Sequence, residues 1–157
     1  MTEGVTSDTY RELSESGVQK HNNRMIRLLR ENGGKLPGVP DDEMPVLIVT
    51  ITGAKSGIRR LTPLGYFEHR GRRFVVGSNG GQERPPSWIF NVRANPEVTV
   101  EVVPNVYAAV ARELDSEERR VEERHRMFQA LAAKYAFFGD YQSRITRVIP
   151  MFELVPC

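Results

Sequence analysis

The middle of the chain alternates between hydrophobic and polar positions in the way typical of antiparallel strands. In "EVTVEVV", Val98, Val100 and Val102 share one face, whereas Thr99 and Glu101 lie on the other. This two-residue period indicates a strand with one buried face. Similar runs between turn residues predict six strands, at residues 46–52, 61–69, 72–77, 97–103, 106–114 and 148–155.

The N-terminal part of the chain has a helical pattern instead. After a polar tail at residues 1–8, a helix is predicted from about Thr9 to Glu31, where Gly33 and Gly34 end it. Its thin apolar stripe and basic border consist of Val18, Met25, Ile26 and Leu29, with Lys20, Arg24, Arg27 and Arg30. Such a helix could cover one end of the domain or lie on an anionic membrane surface, and the thin stripe favours the first.

Two further helices are predicted between the strands. Pro85 and Pro86 suit the start of a short helix that Pro96 must end. A longer helix is capped by Asp115 or Ser116, and its inward stripe is Val121, His125, Phe128, Leu131, Ala132 and Tyr135. Six strands in hairpins with few helices predict an α+β fold. We expect an antiparallel barrel that closes its own edges and not a doubly wound sheet.

Composition and charge narrow the class of protein. The 157 residues suit one domain, with 39% hydrophobic and 27% charged residues. Cys157 is the only cysteine and the start lacks a signal-peptide pattern, so a cytoplasmic protein is expected. Residues 55–93 carry eight Lys or Arg against two acids, a local charge of +6. These cations cluster at turns, which suits one compact anion better than nucleic acid.

Residue spacing argues against several kinds of site. Gly53, Lys55, Ser56 and Gly57 follow a strand, but they lack the spacing of a P-loop, and no three-glycine dinucleotide fingerprint opens a helix. The three histidines have no metal-ligand spacing, and no serine lies in a nucleophile-elbow context. If the protein is an enzyme, a cofactor must supply the reactivity.

Two glycine-rich loops, at residues 53–60 and 77–81, each follow a predicted strand. Such loops can offer backbone N–H groups to an anion or approach a planar ring closely. Nearby cations could neutralise a multiply charged group, namely Lys55, Arg59, Arg60 and Arg84. Either loop alone is equally consistent with an ordinary hairpin turn. The two loops together, near the only tryptophan, favour a binding site.

Several motifs in a fixed order resemble one family. They are "GAKSGIRRLTPL", "VGSNGG", "PPSWIFNVRANPEVTVEV", "DYQSR" and "IPMFELVP". In this order they are similar to the deazaflavin (coenzyme F420)-dependent nitroreductase and quinone reductase family, over roughly Pro45 to Pro156. The resemblance implies a split β-barrel, related to FMN-binding barrels, at residues 45–157. The N-terminal tail, helix and connection would occupy residues 1–44.

The resemblance also implies a cofactor site for F420, an 8-hydroxy-5-deazaflavin. The phosphate would contact Lys55, Ser56 and Gly57. The side of the deazaflavin would be lined by Arg60, Leu61, Thr62, Pro63 and Leu64. The ring would pass along Val76, Gly77, Ser78 and Asn79, and the pocket would be supported by Trp88 and Asn91.

The implied reaction is hydride transfer from reduced F420 to a small electron-poor acceptor, such as a quinone, an enone or unsaturated lactone, or a nitro compound. Ser78 and Tyr141 are candidates to orient the acceptor or relay a proton. Phe138 stands where nitroimidazole-reducing relatives have a tyrosine, which argues against nitroimidazole reduction. Thr62 replaces an asparagine that often precedes the proline. An FMN-dependent oxidoreductase and a non-enzymatic deazaflavin-storage protein remain alternatives.

Overall fold

The computed structural model describes residues 15–40, 42–114 and 121–157. In chain order the helices are α1 (Glu15–Glu31), α2 (Trp88–Ala94), α3 (Val121–Lys134) and α4 (Phe137–Arg144). The strands are β1 (Val46–Thr52), β2 (Arg59–His69), β3 (Arg72–Val76), β4 (Glu97–Val102), β5 (Asn105–Leu114) and β6 (Met151–Pro156). A single 3-10 turn, Asn79–Gly81, is described as well.

The six strands close an antiparallel barrel in the order β1-β2-β3-β6-β5-β4, which confirms the predicted fold class. Alternate residues of β1 fill the inside of the barrel, where Leu47, Val49 and Ile51 pack in one core cluster. Between them, Ile48 faces outward and is buried against α1. Because both faces of β1 are covered, this strand is almost continuously hydrophobic.

A second apolar cluster lies outside the barrel, between β2, β3 and β6 on one side and α3 and α4 on the other. The prediction that His125 lies on the inward face of α3 was wrong, because that residue is exposed. Phe128, Leu131 and Tyr135 are buried as predicted, and Met127, which was not predicted, is buried with them, so the inward face is rotated toward residues 124 and 127. Helix α4 was not predicted at all.

A partly buried ionic network holds α3 against this side of the barrel. The Glu153 carboxylate of β6 accepts hydrogen bonds from Arg72 of β3 and Arg112 of β5. Both guanidiniums also donate to Glu123 of α3. Hydrogen bonds from Arg72, and then those from Arg112, lower the pKa of Glu153 to about 2. The network therefore joins three strands and one helix through four charged side chains.

Helix α1 packs on the barrel with the apolar stripe that the sequence predicted. Ile26 and Leu29 are buried together with Ile48 of β1, so this part of the stripe is already covered. Arg30, from the basic border, forms a bidentate ion pair with Glu101 of β4, with N–O distances of 2.7 and 3.0 Å. The contacts favour a structural role for α1 over membrane docking. No helix within the described ranges is long and apolar enough to cross a membrane.

Some predicted boundaries differ from the observed ones. Strand β2 begins at Arg59 and not at Leu61, since Arg59 pairs with Thr52 of β1. Strand β6 begins at Met151 and not at Val148, which is 68% exposed. The start predicted for the first helix, the cap at residues 115–116 and the tail lie outside the described residues. The division of the chain at residue 44 stays a prediction.

Candidate functional site

A cavity of about 1000 Å³ opens at one end of the barrel. Its walls come from four segments: the loop after β1 with the start of β2, the segment from the 3-10 turn to α2, α2 itself, and α1. The lining residues within the described chain include three cations, Lys55, Arg60 and Arg84, and no Asp or Glu. The cavity is therefore suited to an anionic ligand.

The loop between β1 and β2 is shaped by its own hydrogen bonds. The N–H of Gly53 donates to the carbonyl of Ile58, and the N–H of Gly57 donates to the carbonyl of Gly53. The Ser56 hydroxyl oxygen accepts the N–H of Ile58 at 3.1 Å. A side chain at Gly53 would place its Cβ 2.5 Å from that oxygen, so a larger residue there would displace the Ser56 hydroxyl from this position. Gly57 has a φ of +67°, which glycine adopts without strain.

Helix α2 is joined to this loop by a hydrogen bond. The side-chain oxygen of Asn91 accepts the N–H of Ala54 at 3.0 Å. Trp88, one turn earlier, is buried, lines the cavity and packs edge-to-face on Phe152 at 5.5 Å between ring centroids. Both residues therefore lie at the cavity wall on the short helix, and their role in binding a cofactor stays a prediction.

The remaining donors of the loop have no partner. Within the described chain, neither the N–H of Lys55 nor that of Ser56 makes a hydrogen bond. The charged groups of Lys55, Arg60 and Arg84 likewise have no ion-pair partner there. Two backbone donors and three unpaired cations thus surround the same opening. A phosphate or carboxylate would satisfy them, because charge-assisted hydrogen bonds to such groups are strong.

The second glycine-rich loop begins at Gly77, whose position has no room for a side chain. A Cβ at Gly77 would overlap Ile89 Cδ1 and lie 2.9 Å from Pro150 Cγ. Asn79 has a φ of +48°, an unusual conformation for a residue other than glycine. Its side-chain nitrogen donates to the carbonyl of Arg84 at 2.8 Å, which ties the turn to the segment leading into α2.

This second loop is fixed from behind by residues 146–147. The Glu83 carboxylate accepts hydrogen bonds from the N–H groups of Thr146 and Arg147 and from the Thr146 hydroxyl. The hydroxyl bond, foremost, lowers the pKa of Glu83. In return, the Arg147 guanidinium donates to the carbonyls of Gly77, Ser78 and Gln82. Burial lowers the pKa of Arg147.

The cavity brings together part of the predicted cofactor set. Eight of the predicted residues line it, namely Lys55, Ser56, Arg60, Leu61, Thr62, Asn79, Trp88 and Asn91. The lining does not include Gly57, Pro63, Leu64, Val76, Gly77 or Ser78. Pro63 is buried in β2, and Leu64 packs against the barrel interior. Arg59 is directed elsewhere, because its guanidinium donates to the Thr99 hydroxyl at 3.1 Å.

Neither catalytic candidate lies on the cavity wall. Tyr141 is half-buried in α4, with its ring 5.5 Å from that of Phe137 and 6.0 Å from that of Phe138. Ser78 immediately precedes Asn79, but its own side chain does not line the cavity. Helix α4 does pack against the 3-10 turn. Catalytic roles for these two residues stay predictions.

Two parts of the wall were missed by the sequence interpretation. Helix α1 contributes Val18, Gln19 and Asn22, although the helix lies far from the loops in the sequence. The mouth of the cavity carries exposed apolar side chains, Ile58, Leu61 and Phe90, of which only Leu61 was predicted. Phe90 lies within a quoted motif, and its position between Trp88 and Asn91 was the one available signal. Nothing local in the sequence placed α1 at this site.

The described residues offer no alternative centre for metal chemistry. Within residues 15–40, 42–114 and 121–157, no three His, Cys, Asp or Glu side chains come together as a metal site.

Comparison with known proteins decides the family. Residues 20–156 match the F420H(2)-dependent quinone reductase family. The chain belongs to this family. An F420H(2)-dependent quinone reductase of Mycobacterium tuberculosis (strain H37Rv) is 32% identical over 123 residues, which is 78% of each chain. The F420-dependent reductase and the F420 cofactor inferred from the motifs are thereby confirmed.

Two solved structures have the same barrel. A protein described as an F420-H2 dependent reductase (FDR-A) is 39% identical, with a TM-score of 0.59 over 70% of this chain and 93% of that one. A second, described as a domain-swapped dimer, is 35% identical, with a TM-score of 0.62 over 86% of this chain and 96% of that one. These likenesses agree with the closed antiparallel barrel.

The residues present fit F420. The family's cofactor carries a phosphate and carboxylates on its tail, and the cavity offers the two free N–H groups with Lys55, Arg60 and Arg84. It also carries a planar ring, and the cavity provides Trp88 and Leu61 as apolar surface. The absence of an acidic side chain from the described lining removes a source of repulsion.

Proposed function

We propose that the protein transfers a hydride from reduced F420 to a quinone. Enones, unsaturated lactones and nitro compounds other than nitroimidazoles are further acceptors to be tested. One observation carries this proposal. The cavity combines three unpaired cations and two free N–H groups with the apolar surface of the buried Trp88 and of Leu61 and Phe90 at its mouth. An anionic tail, a planar ring and an apolar acceptor can therefore bind in a single site.

Each wall of the cavity would contribute differently to this reaction. Loop 53–58 and Arg84 would bind the anionic tail, and Asn91 would keep the loop in shape. Trp88 and the start of β2 would hold the ring, and α1 would help to exclude water. When bound, reduced F420 supplies the hydride, from the C5 carbon of its deazaflavin ring. The task left to the protein is to bring donor and acceptor into contact at a fixed orientation.

The predicted site residues outside the cavity lining would act by supporting it. Gly57, Pro63, Leu64, Val76 and Gly77 would shape the loops and strands that carry the lining residues. Ser78 and Tyr141 would take part in catalysis only if ligand binding brings their hydroxyls to the acceptor. Phe138, which is buried in α4, brings no hydroxyl to this side, so we expect weak activity on nitroimidazoles.

The first experiment compares cofactors. Purified protein is titrated with F420 and with FMN, and binding is followed by cofactor fluorescence. Tighter binding of F420 is expected, because only its longer anionic tail can engage all three cations. A protein that retains stoichiometric FMN, or binds FMN more tightly, would point to the flavin alternative.

The second experiment distinguishes an enzyme from a storage protein. Reduced F420 and the protein are mixed with a panel of quinones, enones and nitro compounds, and oxidation is followed by the return of cofactor absorbance. Catalytic turnover with a quinone is expected. Tight binding without acceleration for any acceptor would contradict the proposal and favour storage.

A further inference from the structure

Arg147 makes an unusual set of contacts for a residue that does not line the cavity. Its guanidinium donates to the carbonyl of Gly77 at 3.0 Å, to that of Ser78 at 3.0 Å and to that of Gln82 at 3.2 and 3.0 Å. One side chain thus holds three carbonyl oxygens of the same short loop. All three oxygens must face the guanidinium, because these bonds require the donor and acceptor to point at each other.

The direction of these carbonyls determines the direction of the neighbouring N–H groups. In a trans peptide unit the carbonyl of one residue and the N–H of the next point in opposite directions. The only cis peptide in the described chain is at Val103-Pro104. With the carbonyls of Gly77 and Ser78 directed at Arg147, the N–H groups of Ser78 and Asn79 therefore point away from it.

These two N–H groups are available for a ligand. Neither has a hydrogen-bond partner within the described residues. Ser78 has right-handed helical angles, φ −77° and ψ −27°, and Asn79 has a φ of +48°. A right-handed residue followed by a left-handed one turns successive N–H groups toward a common point, which is a concavity for an electron-rich oxygen. Asn79 itself lines the cavity.

The loop does not need Arg147 merely to stay attached to residues 146–147. Glu83 already joins these segments through the N–H groups of Thr146 and Arg147 and the Thr146 hydroxyl. The N–H of Gly77 also donates to the carbonyl of Pro150 at 2.9 Å. In addition to these contacts, Arg147 fixes the direction in which the carbonyl groups of the loop point.

We propose that Arg147 is a positioning residue for the F420 reaction. By holding three carbonyls behind the loop, it presents the N–H groups of Ser78 and Asn79 to an electron-rich carbonyl oxygen of the deazaflavin ring. Without these hydrogen bonds, a carbonyl of the loop can turn toward the deazaflavin ring and repel its carbonyl oxygen. The inference rests on the proposed function, since it requires the ring to lie beside this loop.

The test uses two substitutions at Arg147 and a matched control. Arg147→Met keeps length and apolar volume but removes all donors, and Arg147→Lys keeps the charge but cannot reach three carbonyls. The control is Arg124→Met. Arg124 is also partly buried and donates to a backbone carbonyl, that of Ile149, at 3.0 and 2.6 Å, but it does not contact loop 77–82. A general loss of packing should affect both positions.

The measurements are the thermal midpoint, the Kd for F420 at two salt concentrations, kcat at saturating cofactor and quinone, and the absorption band of the bound cofactor. Arg147→Met is expected to lower kcat about ten- to hundredfold, to raise the Kd about tenfold and to shift the bound band toward that of free F420. Arg147→Lys should fall between it and the wild type. Arg124→Met should lose stability while keeping the wild-type kcat and band.

Salt separates this effect from loss of the anionic tail. The Kd of Arg147→Met should keep the wild-type salt dependence, because the lost contacts are hydrogen bonds inside the protein. Unchanged kcat and band in Arg147→Met, or equal changes in Arg124→Met, would overturn the inference. If Arg147→Met does not fold, Arg147→Lys is judged by the same criteria. Wild-type protein that does not bind F420 would refute the proposed function itself, and that outcome is separate from these.

Discussion

The hydrogen bond between Ala54 and Asn91 allows the proposed binding of an anion at loop 53–58 to be tested without substituting its cations. Asn91 lies on α2, and its side-chain oxygen accepts the N–H of Ala54 at 3.0 Å. Asn91→Ala removes this acceptor. Asn91→Asp keeps an oxygen in the same place and adds a negative charge beside Lys55 and Ser56. The two variants therefore separate the shape of the loop from its charge.

The structure sets the size of each effect. A neutral hydrogen bond contributes about 0.5–1.5 kcal/mol, and Ala54 is exposed, so water can replace part of this one. For Asn91→Ala we expect a loss of about 0.5–1 kcal/mol of stability, or about 1–4 °C in Tm for a chain of this size. If the same energy orders the loop for binding, the Kd for F420 rises about two- to fivefold.

Asn91→Asp should behave differently. Its hydrogen bond to Ala54 is retained, so its stability should stay close to that of the wild type. A charge a few ångströms from a bound anion costs about 1 kcal/mol in a water-like environment, which raises the Kd about fivefold over that of the wild type at low salt. This loss should shrink as salt rises, because exposed charges are screened.

The assay is a fluorescence titration with F420 at low and high salt, together with thermal unfolding of each variant. At low salt we expect both variants to bind F420 more weakly than the wild type, and only the loss in Asn91→Asp should shrink as salt rises. If Asn91→Asp binds F420 as tightly as the wild type at low salt while folding normally, the anionic tail does not bind at this loop. The assignment of Lys55 and Ser56 to the site would then be wrong.

Three further predictions follow from particular contacts. Lys55→Ala should weaken F420 binding about fivefold at low salt and less at high salt. As a control, substitution of the exposed Arg144 on α4 by alanine should leave the Kd unchanged. Equal effects of the two substitutions in a titration would remove Lys55 from the site. Because the folded pKa of Glu153 is depressed to about 2 from an ordinary 4.5, its stabilisation is present above pH 4.5 and is lost as pH falls toward 2. Glu153→Gln should therefore lose about 1–2 kcal/mol at pH 7, after allowance for the partial exposure of its arginine partners, and much less near pH 2; a constant difference in denaturant unfolding across this range would contradict the assignment. Gly77→Ala should cost about 1–3 kcal/mol through overlap with Ile89 and Pro150, and adding Ile89→Val should recover part of it; purely additive losses in the double variant would show that the overlap is relieved elsewhere.

The sequence by itself determined the elements whose patterns are local. Alternation along residues 97–102 predicted β4, and the apolar runs predicted the other five strands to within a few residues. This was possible because the two faces of a barrel strand have different environments, so apolar and polar side chains alternate along the strand. The sequence also predicted the turn at loop 53–60, because a turn constrains its own residues and glycines mark it. The cations of the loop could be read directly from the sequence.

The order of the motifs along the chain also predicted the family and the cofactor. Five motifs in sequence predicted an F420-dependent barrel, and the family match over residues 20–156 confirmed it. The prediction of helix α3 was less accurate, because Arg124 and not His125 faces the protein. A hydrophobicity pattern has no means of predicting that an arginine is turned inward to donate to the carbonyl of Ile149.

Only the tertiary structure decided what surrounds the cavity. Helix α1 became one of its walls through Ile26 and Leu29 on β1 and through the ion pair of Arg30 with Glu101, 71 residues away. Arg147 came to hold loop 77–82, about 70 residues earlier in the chain. Such contacts join segments that have no fixed spacing, so they leave no period in the sequence. Their directions depend on how the closed barrel and its helices place each backbone carbonyl, and the fold alone sets that placement.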